Sequence, residues 1–362
     1  MASSSYCARV APAFFRLCRL ASGLLLFACT VLLAFLECRP AAADAPLNYM
    51  VTHGSRAQAI AHLAWFTTII SILVIIIVSG LLLAAIARAR RRTAPVLPGS
   101  APVERPAGGI AWIYAGVGIS TIVLFVTMVW TFVTLAETAN PPPGPPALRL
   151  QVIGHQWWWE IRYLSDDPSQ EFRTANEIHV PVGKVVEISL RAADVIHSFW
   201  VPALAGKTDL IPGQENRTWI DALRPGVYRG QCGEYCGEQH AHMAFEVVAS
   251  APDEFEQWRK RQLQSPPSDL AAQAKGGQQL FASRCGICHS VRGTSAGGNL
   301  GPDLTHVMSR GTIGAAALPN TPASLAAWIA DPQHIKPGNL MPRLDLSAPQ
   351  MVLIRQYLES LR

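Results

Sequence analysis

The sequence predicts a multidomain chain: an N-terminal transmembrane α-helical hairpin, an all-β sandwich or small barrel, and a C-terminal all-α domain. Three observations carry that prediction. Two apolar runs, near 60–86 and 110–135, are each long enough to cross about 30 Å of hydrocarbon as a helix. Short strand-like runs separated by Pro, Gly and Asp fill residues 147–250. Helical patterning begins again at Ala271 and surrounds Cys285-Gly286-Ile287-Cys288-His289. Composition agrees with membrane attachment, since the 362 residues are 50% hydrophobic and only 15% charged. The net charge of +5 owes much to Arg88, Arg90, Arg91 and Arg92, which flank an apolar run. That cluster is a topology signal, not a nucleic-acid patch, and no nucleic-acid partner is expected.

Residues 1–43 carry Arg9, Arg16 and Arg19, the apolar run Leu20–Leu36, and then Ala41-Ala42-Ala43. These are the parts of a secretory signal peptide, with cleavage after Ala43; an uncleaved first transmembrane helix is the alternative. A lipoprotein site at Cys29 fits poorly, because apolar sequence continues after it. Residues 44–146 hold the hairpin and a proline-rich spacer, Pro141-Pro142-Pro143-Gly144-Pro145-Pro146, expected to lift the β-rich domain off the membrane. The arginine cluster puts the inner loop in the cytoplasm, so everything after residue 136 is periplasmic or extracellular. Trp112, Tyr114 and Trp130 suit the interfacial belts.

The β-rich part spans 147–250, with strands expected at Leu148–Ile153, Ile178–Val182, Lys184–Leu190, Thr218–Ala222 and Gly226–Gly230. Residues 251–270 are polar and are expected to form a linker with one short helix at Asp253–Leu263. The all-α part spans 271–362, with helices at Gly276–Cys285, Thr321–Ile329 and Ala348–Leu361.

The chemistry is concentrated in two motifs. The stretch from Cys232 to Met243 sets two thiols, two imidazoles and a thioether in twelve residues, spaced C-x3-C-x3-H-x2-M, with remote His197 as a further candidate. Such a soft ligand set suits copper, and the spacing does not match a zinc knuckle. Two thiolates can bridge two copper ions, with His197, His240 and Met243 as terminal ligands; His242, at strand-like spacing, is expected to point away. In the second motif, Cys285, Cys288 and His289 form the C-x-x-C-H haem c attachment pattern, with His289 on the iron. A bare C-x-x-C is also compatible with a redox dithiol or half a zinc site, but the adjacent histidine and exported location favour haem. Met341, in the proline-bounded loop Lys336–Pro342, is the expected sixth ligand. Met308 lies in a helix-like segment too soon after the motif, and Met351 reads as core. Of the eight cysteines, the other four (Cys7, Cys18, Cys29, Cys38) lie in the first forty residues, so no disulfide framework is needed.

With these motifs, the chain resembles subunit II of the cytochrome c oxidases, in the bacterial form carrying a fused cytochrome c domain. The residues that carry the resemblance are Gly154-His155-Gln156-Trp157-Trp158-Trp159, Asp194–Phe199, Lys207–Gly213, Cys232–Met243, Cys285–His289, Gly301-Pro302-Asp303-Leu304 and Met341-Pro342. The resemblance implies a cupredoxin-like sandwich followed by a class I cytochrome c domain. It implies a binuclear copper A centre held by His197, Cys232, the Glu234 carbonyl, Cys236, His240 and Met243. The Glu234 side chain would then reach a magnesium site at the boundary with subunit I. Trp157 matches the aromatic residue through which electrons arrive from a donor cytochrome. Haem c would be held by Cys285 and Cys288 with His289 and Met341 axial, and Pro302 would accept the ring N–H of His289. Partners implied are subunits I and III, a donor c-type cytochrome or upstream respiratory complex, and lipid of a bacterial inner membrane. The function implied is electron relay to haem a, with oxygen reduced on subunit I.

The pattern departs in the second transmembrane helix. Family members commonly carry a glutamate three residues before a tryptophan there, but Gly109 precedes Trp112 at that spacing, and the nearest acid is Glu104. The same relay on a copper A nitric oxide reductase, and a membrane-tethered copper chaperone, are the rival readings. The haem motif argues against the chaperone. Quinol oxidase subunits lack these copper ligands, and nitrous oxide reductase needs a propeller domain this chain lacks.

Overall fold

A computed structural model describes residues 47–91, 109–266 and 272–362. The expected signal peptide at 1–43, the loop expected on the cytoplasmic side and Glu104 lie outside the described residues. Tyr49–Arg362 forms one compact unit.

Two helices, α1 (Ser55–Arg91) and α2 (Gly109–Ala139), make the apolar hairpin. Both are long and apolar enough to cross a membrane and leave nearly all their large apolar side chains exposed. They run further than the apolar runs alone predict. At 37 residues α1 is roughly 55 Å long, well beyond one hydrocarbon thickness. The excess docks onto the β-domain. His53 and Gly54 N–H both donate to the Ala203 carbonyl (2.7 and 3.2 Å), and Ser55 N–H donates to the Asp221 carboxylate (2.8 Å). The carboxylate satisfies an otherwise unpaired donor at the positive end of the helix. Ala57 and Ala61 are buried there. Trp130 packs against α1, its ring centroid 4.8 Å from that of Phe66.

The β-domain is a sandwich, which excludes the single-barrel alternative. Strands β1 (Leu148–His155), β2 (Trp158–Leu164), β3 (Phe172–Ala175), β5 (Val186–Ala192) and β8 (Asn216–Ile220) form one sheet in the order β3-β2-β1-β5-β8. The other sheet comprises β4 (Glu177–Pro181), β6 (His197–Trp200), β7 (Thr208–Leu210), β9 (Gly226–Cys232) and β10 (Ala244–Ser250), in the order β4-β10-β9-β6-β7. Strands β1 and β5 pair in parallel, as do β10 and β4; the remaining neighbours are antiparallel. Alternation along each strand sends Leu150, Val152, Ile188 and Leu190 inward from one sheet, and Phe199, Phe245 and Val247 from the other. Trp159 is fully buried between them, 5.1 Å from the Phe245 ring.

The segment expected to be a linker does more than connect. Helix α3 (Pro252–Leu263) drives Phe255 and Trp258 into the sandwich core. Trp258 stacks flat on His179 with ring centroids 4.0 Å apart and lies 5.3 Å from Tyr163. Of that helix only Phe255, Trp258 and Gln262 are buried, so its polar composition hides the inward stripe.

The C-terminal domain is helical: α4 (Ala272–Arg284), α5 (Pro322–Ala330), α6 (Pro332–Ile335) and α7 (Ala348–Glu359). Phe281 of α4, Leu325 and Ile329 of α5, and Ile354, Tyr357 and Leu358 of α7 build its core. Helix α7 opens on a Ser347/Gln350 capping box, and α5 and α6 each start with proline after a Thr321 or Asp331 cap. A two-residue ladder pairs β11 (Thr312–Ile313) with β12 (Leu318–Pro319). Met308 lies in a short 3-10 turn packed against this core.

Candidate metal centre

The soft-ligand stretch sits where β9 ends and β10 begins. Cys232 is the last residue of β9, and Met243 immediately precedes β10. The loop between them closes on itself, since the Cys232 N–H donates to the Met243 carbonyl at 2.9 Å. His197 opens the neighbouring strand β6, and β6 pairs with β9 through Phe199 and Cys232. Sheet pairing therefore brings a residue 35 positions away beside the cysteines.

Distances inside the cluster are short. The two sulfurs, Cys232 Sγ and Cys236 Sγ, lie 3.7 Å apart. His197 Nδ1 is 3.9 Å from Cys232 Sγ, and His240 Nδ1 is 3.5 Å from Cys236 Sγ. Met243 Sδ is 3.7 Å from Cys236 Sγ, and the Glu234 carbonyl accepts from Cys232 at 3.2 Å. His197, Cys232 and Cys236 form a group compact enough to hold a metal ion, and all three are buried, as is Met243. Every residue of the expected copper set thus converges, each imidazole facing a different sulfur. His242 does not join them; it is exposed and its Nδ1 pairs with Gln239 Oε1 at 2.7 Å.

The electrostatics fit a thiolate site. The Cys236 thiol and the His197 ring lower the Cys232 pKa against the opposing effect of burial, and Cys236 rises in return because it keeps the shared proton. Bound cations of charge one or two would displace that proton. Burial pulls His197 down, but Asp194 and Cys232 together outweigh it and the net shift is upward. Asp194 belongs to the same sequence motif as His197, and its spacing alone gives it no role. In the fold its Oδ1 accepts from His197 Nε2 at 2.8 Å, and its Oδ2 accepts the Gln156 N–H at 2.7 Å. With Nε2 so engaged, Nδ1 presents its lone pair to the sulfurs. Gly154 leaves room for this ring, because a Cβ there would sit 2.7 Å from His197 Cδ2.

Trp157 lies beside the cluster, its indole N–H donating to the Cys236 carbonyl at 3.0 Å, and Gln156 Nε2 reaches the same oxygen at 2.7 Å. It is only 8% exposed. The Glu234 carboxylate turns outward and lies 3.8 Å from Lys207 Nζ.

In the helical domain, Cys285 and Cys288 follow α4 and are free thiols. His289 Nδ1–H donates to the Pro302 carbonyl at 2.8 Å, which leaves Nε2 as the free lone pair. Burial lowers the His289 pKa and keeps the ring neutral, the state a metal ligand needs. Arg310 Nε is buried without a partner among the described residues, a donor that fits an acidic edge such as a porphyrin carboxylate. Met341 sits in a braced loop: its N–H donates to Asn339 Oδ1 and its carbonyl accepts from Gln333 Nε2, both at 2.8 Å.

Comparison with known proteins finds two family matches. Residues 148–250 match the family described as cytochrome C oxidase subunit II, periplasmic domain, and residues 274–362 match the family described as cytochrome c. The cytochrome c oxidase subunit 2 of Alkalihalophilus pseudofirmus is 35% identical over 319 residues, covering 85% of this chain and 89% of that one. That of Bacillus subtilis is 30% identical over 257 residues, covering 67% and 71%. Among solved structures, the periplasmic domain of subunit II of cytochrome oxidase from Bradyrhizobium japonicum is 34% identical, covering 33% of this chain and 95% of that one at a TM-score of 0.30.

Proposed function

The chain belongs to the cytochrome c oxidase subunit II family, and from that premise we propose that it relays single electrons from a donor c-type cytochrome through its haem c and a binuclear copper A centre to haem a of subunit I. The observation that carries the reading is the convergence of two sulfurs 3.7 Å apart with two imidazoles, a thioether and a carbonyl. Copper A would be held by His197, Cys232, the Glu234 carbonyl, Cys236, His240 and Met243. Bound there, it would supply one-electron redox chemistry. The chain's own part is to keep the site dry, through burial of both cysteines, His197 and Met243, and to fix the imidazole of His197 through Asp194.

Haem c would be held by Cys285, Cys288, His289 and Met341, with Pro302 orienting the His289 ring. The outward Glu234 carboxylate would serve a magnesium ion at the boundary with subunit I. The domain plan is a signal peptide to residue 43, a hairpin and spacer to 146, the copper domain over 147–250 and the haem domain from 271. The chain would be a multi-pass protein of a bacterial inner membrane, with both redox domains on the periplasmic face and subunit III also in the complex. Purifying that complex tests the reading. Two copper ions and one covalent haem per chain, a near-infrared mixed-valence band, and oxygen consumption with reduced cytochrome c are expected; one copper per chain contradicts it. Gly109, where relatives of the oxidase type commonly carry glutamate, favours a second reading as the relay subunit of a nitric oxide reductase, which consumption of nitric oxide in place of oxygen would single out.

A further inference from the structure

The helical domain meets the β-sandwich around one buried amine. Lys336 follows α6 and opens the loop that carries Met341; it is 2% exposed. Its Nζ donates to the carbonyls of Trp157 (2.6 Å), His242 (2.7 Å) and Gly314 (3.1 Å). All three ammonium protons are therefore used, and no ion pair to Lys336 occurs among the described residues. Two of the acceptors belong to the other domain and flank the metal centre. Trp157 holds the Cys236 carbonyl, and His242 directly precedes Met243. Burial disfavours an ammonium unless its hydrogen bonds are completed, and it lowers the Lys336 pKa to about 7; only the docked arrangement supplies all three acceptors.

Three further contacts join the two domains. Gly311 N–H donates to Glu177 Oε2 at 2.7 Å, Ala244 N–H donates to the Ala315 carbonyl at 3.2 Å, and Gln239 Nε2 donates to the Pro337 carbonyl at 2.9 Å. Gly338 approaches the edge of the Trp157 ring, where a Cβ would sit 3.6 Å from Cη2 and 3.0 Å from Glu238 Oε2. Trp157 is only 8% exposed, and one edge of its ring is covered by the chain's own helical domain.

We propose that Lys336 is an interdomain latch, a positioning residue that locks the Met341 loop onto the backbone of Trp157 and His242 and closes Trp157 to any outside donor. Electrons from outside must then enter at the haem-bearing domain. That consequence rests on the relay reading above; the latch itself does not.

The test is Lys336→Met in the detergent-solubilised full chain, read by amide hydrogen exchange. Loss of the latch is expected to speed exchange at Gly311 and Ala244, whose N–H groups bridge the domains, by about tenfold or more. Amides within β1, β2, α4 and α7 should keep their protection. Unchanged exchange at Gly311 and Ala244 overturns the proposal. Should the variant lose protection throughout, the wild-type chain decides: Lys336 should resist acetylation at least about tenfold relative to exposed Lys184, because the opened state is rare, and equal labelling overturns the latch. In the loaded complex, haem-to-copper electron transfer should be independent of solvent viscosity; a rate that falls with viscosity means a swinging domain and no latch. A chain lacking copper or haem would sink the relay reading and leave the exchange result standing.

Discussion

Replacing Asp194 with asparagine isolates the device that aims His197. The carboxylate accepts three hydrogen bonds, from His197 Nε2 and Val195 N–H on Oδ1 and from Gln156 N–H on Oδ2, at 2.7–2.8 Å. An asparagine keeps one accepting oxygen, so either the ring with Val195 or the Gln156 N–H faces an amide NH2 instead. Asp194 is exposed as a residue, its side chain 28% open to solvent, so water relieves part of the loss, and the unpaired donor costs about 1 kcal/mol of fold stability. The metal feels more. Losing the charged partner of a ligating imidazole lowers metal affinity by roughly 10–100-fold, or about 1.4–2.8 kcal/mol. Chelator competition on copper-depleted Asp194→Asn protein measures the affinity, and a urea melt of the same sample measures the fold. Copper affinity equal to that of the wild type would refute the role assigned to Asp194.

Other perturbations test the frame around the site. Gly277 on α4 faces α7 so closely that a Cβ would sit 2.1 Å from the Leu353 carbonyl oxygen. Gly277→Ala should therefore destabilise the helical domain by at least about 1–3 kcal/mol in a thermal melt. Trp258→Ala should cost about 3–5 kcal/mol in denaturant, because the ring fills a buried site against Tyr163, Phe172 and His179; a near-neutral result would return α3 to the status of a linker. Burial raises the Glu160 pKa, but the His155 ring 3.4 Å away and the Arg162 hydrogen bond bring it down to about 2 from an ordinary 4.5. A depressed carboxylate pKa stabilises the fold above the ordinary value and loses that contribution as pH falls toward 2. Wild type should then exceed Glu160→Gln by about 1–2 kcal/mol at pH 7, after discounting for solvent screening, with the gap closing in acid titrations.

The readable and unreadable parts of this chain differ in physical origin. Apolar runs, strand alternation and the two ligand motifs are local, so the hairpin, the sandwich and the spacing of Cys232, Cys236, His240 and Met243 are visible in sequence. That His240 and not His242 faces sulfur comes from the 3-10 turn at His240–His242, at which the spacing only hints. Contacts between distant segments leave no local pattern. Asp194 lies three residues before His197, but its reach to the Gln156 N–H depends on the β1–β2 turn. Lys336 has the sequence of a polar border to a methionine loop, and nothing in its neighbours announces acceptors 179 and 94 positions away. The proline spacer reads as a standoff, yet the N-terminal turns of α1 hold the β-domain directly through Ala203 and Asp221. Helix α3 reads as polar because only one narrow face is apolar.

The central claim is that electrons pass within this one chain from the haem-bearing domain to the soft-ligand centre. Flash reduction of haem c in the metal-loaded complex tests it most directly, with the haem band and the near-infrared copper band followed together. The account predicts haem reoxidation and copper reduction with the same first-order rate, independent of protein concentration. Haem that stays reduced, or a rate that rises in proportion to concentration, would contradict it.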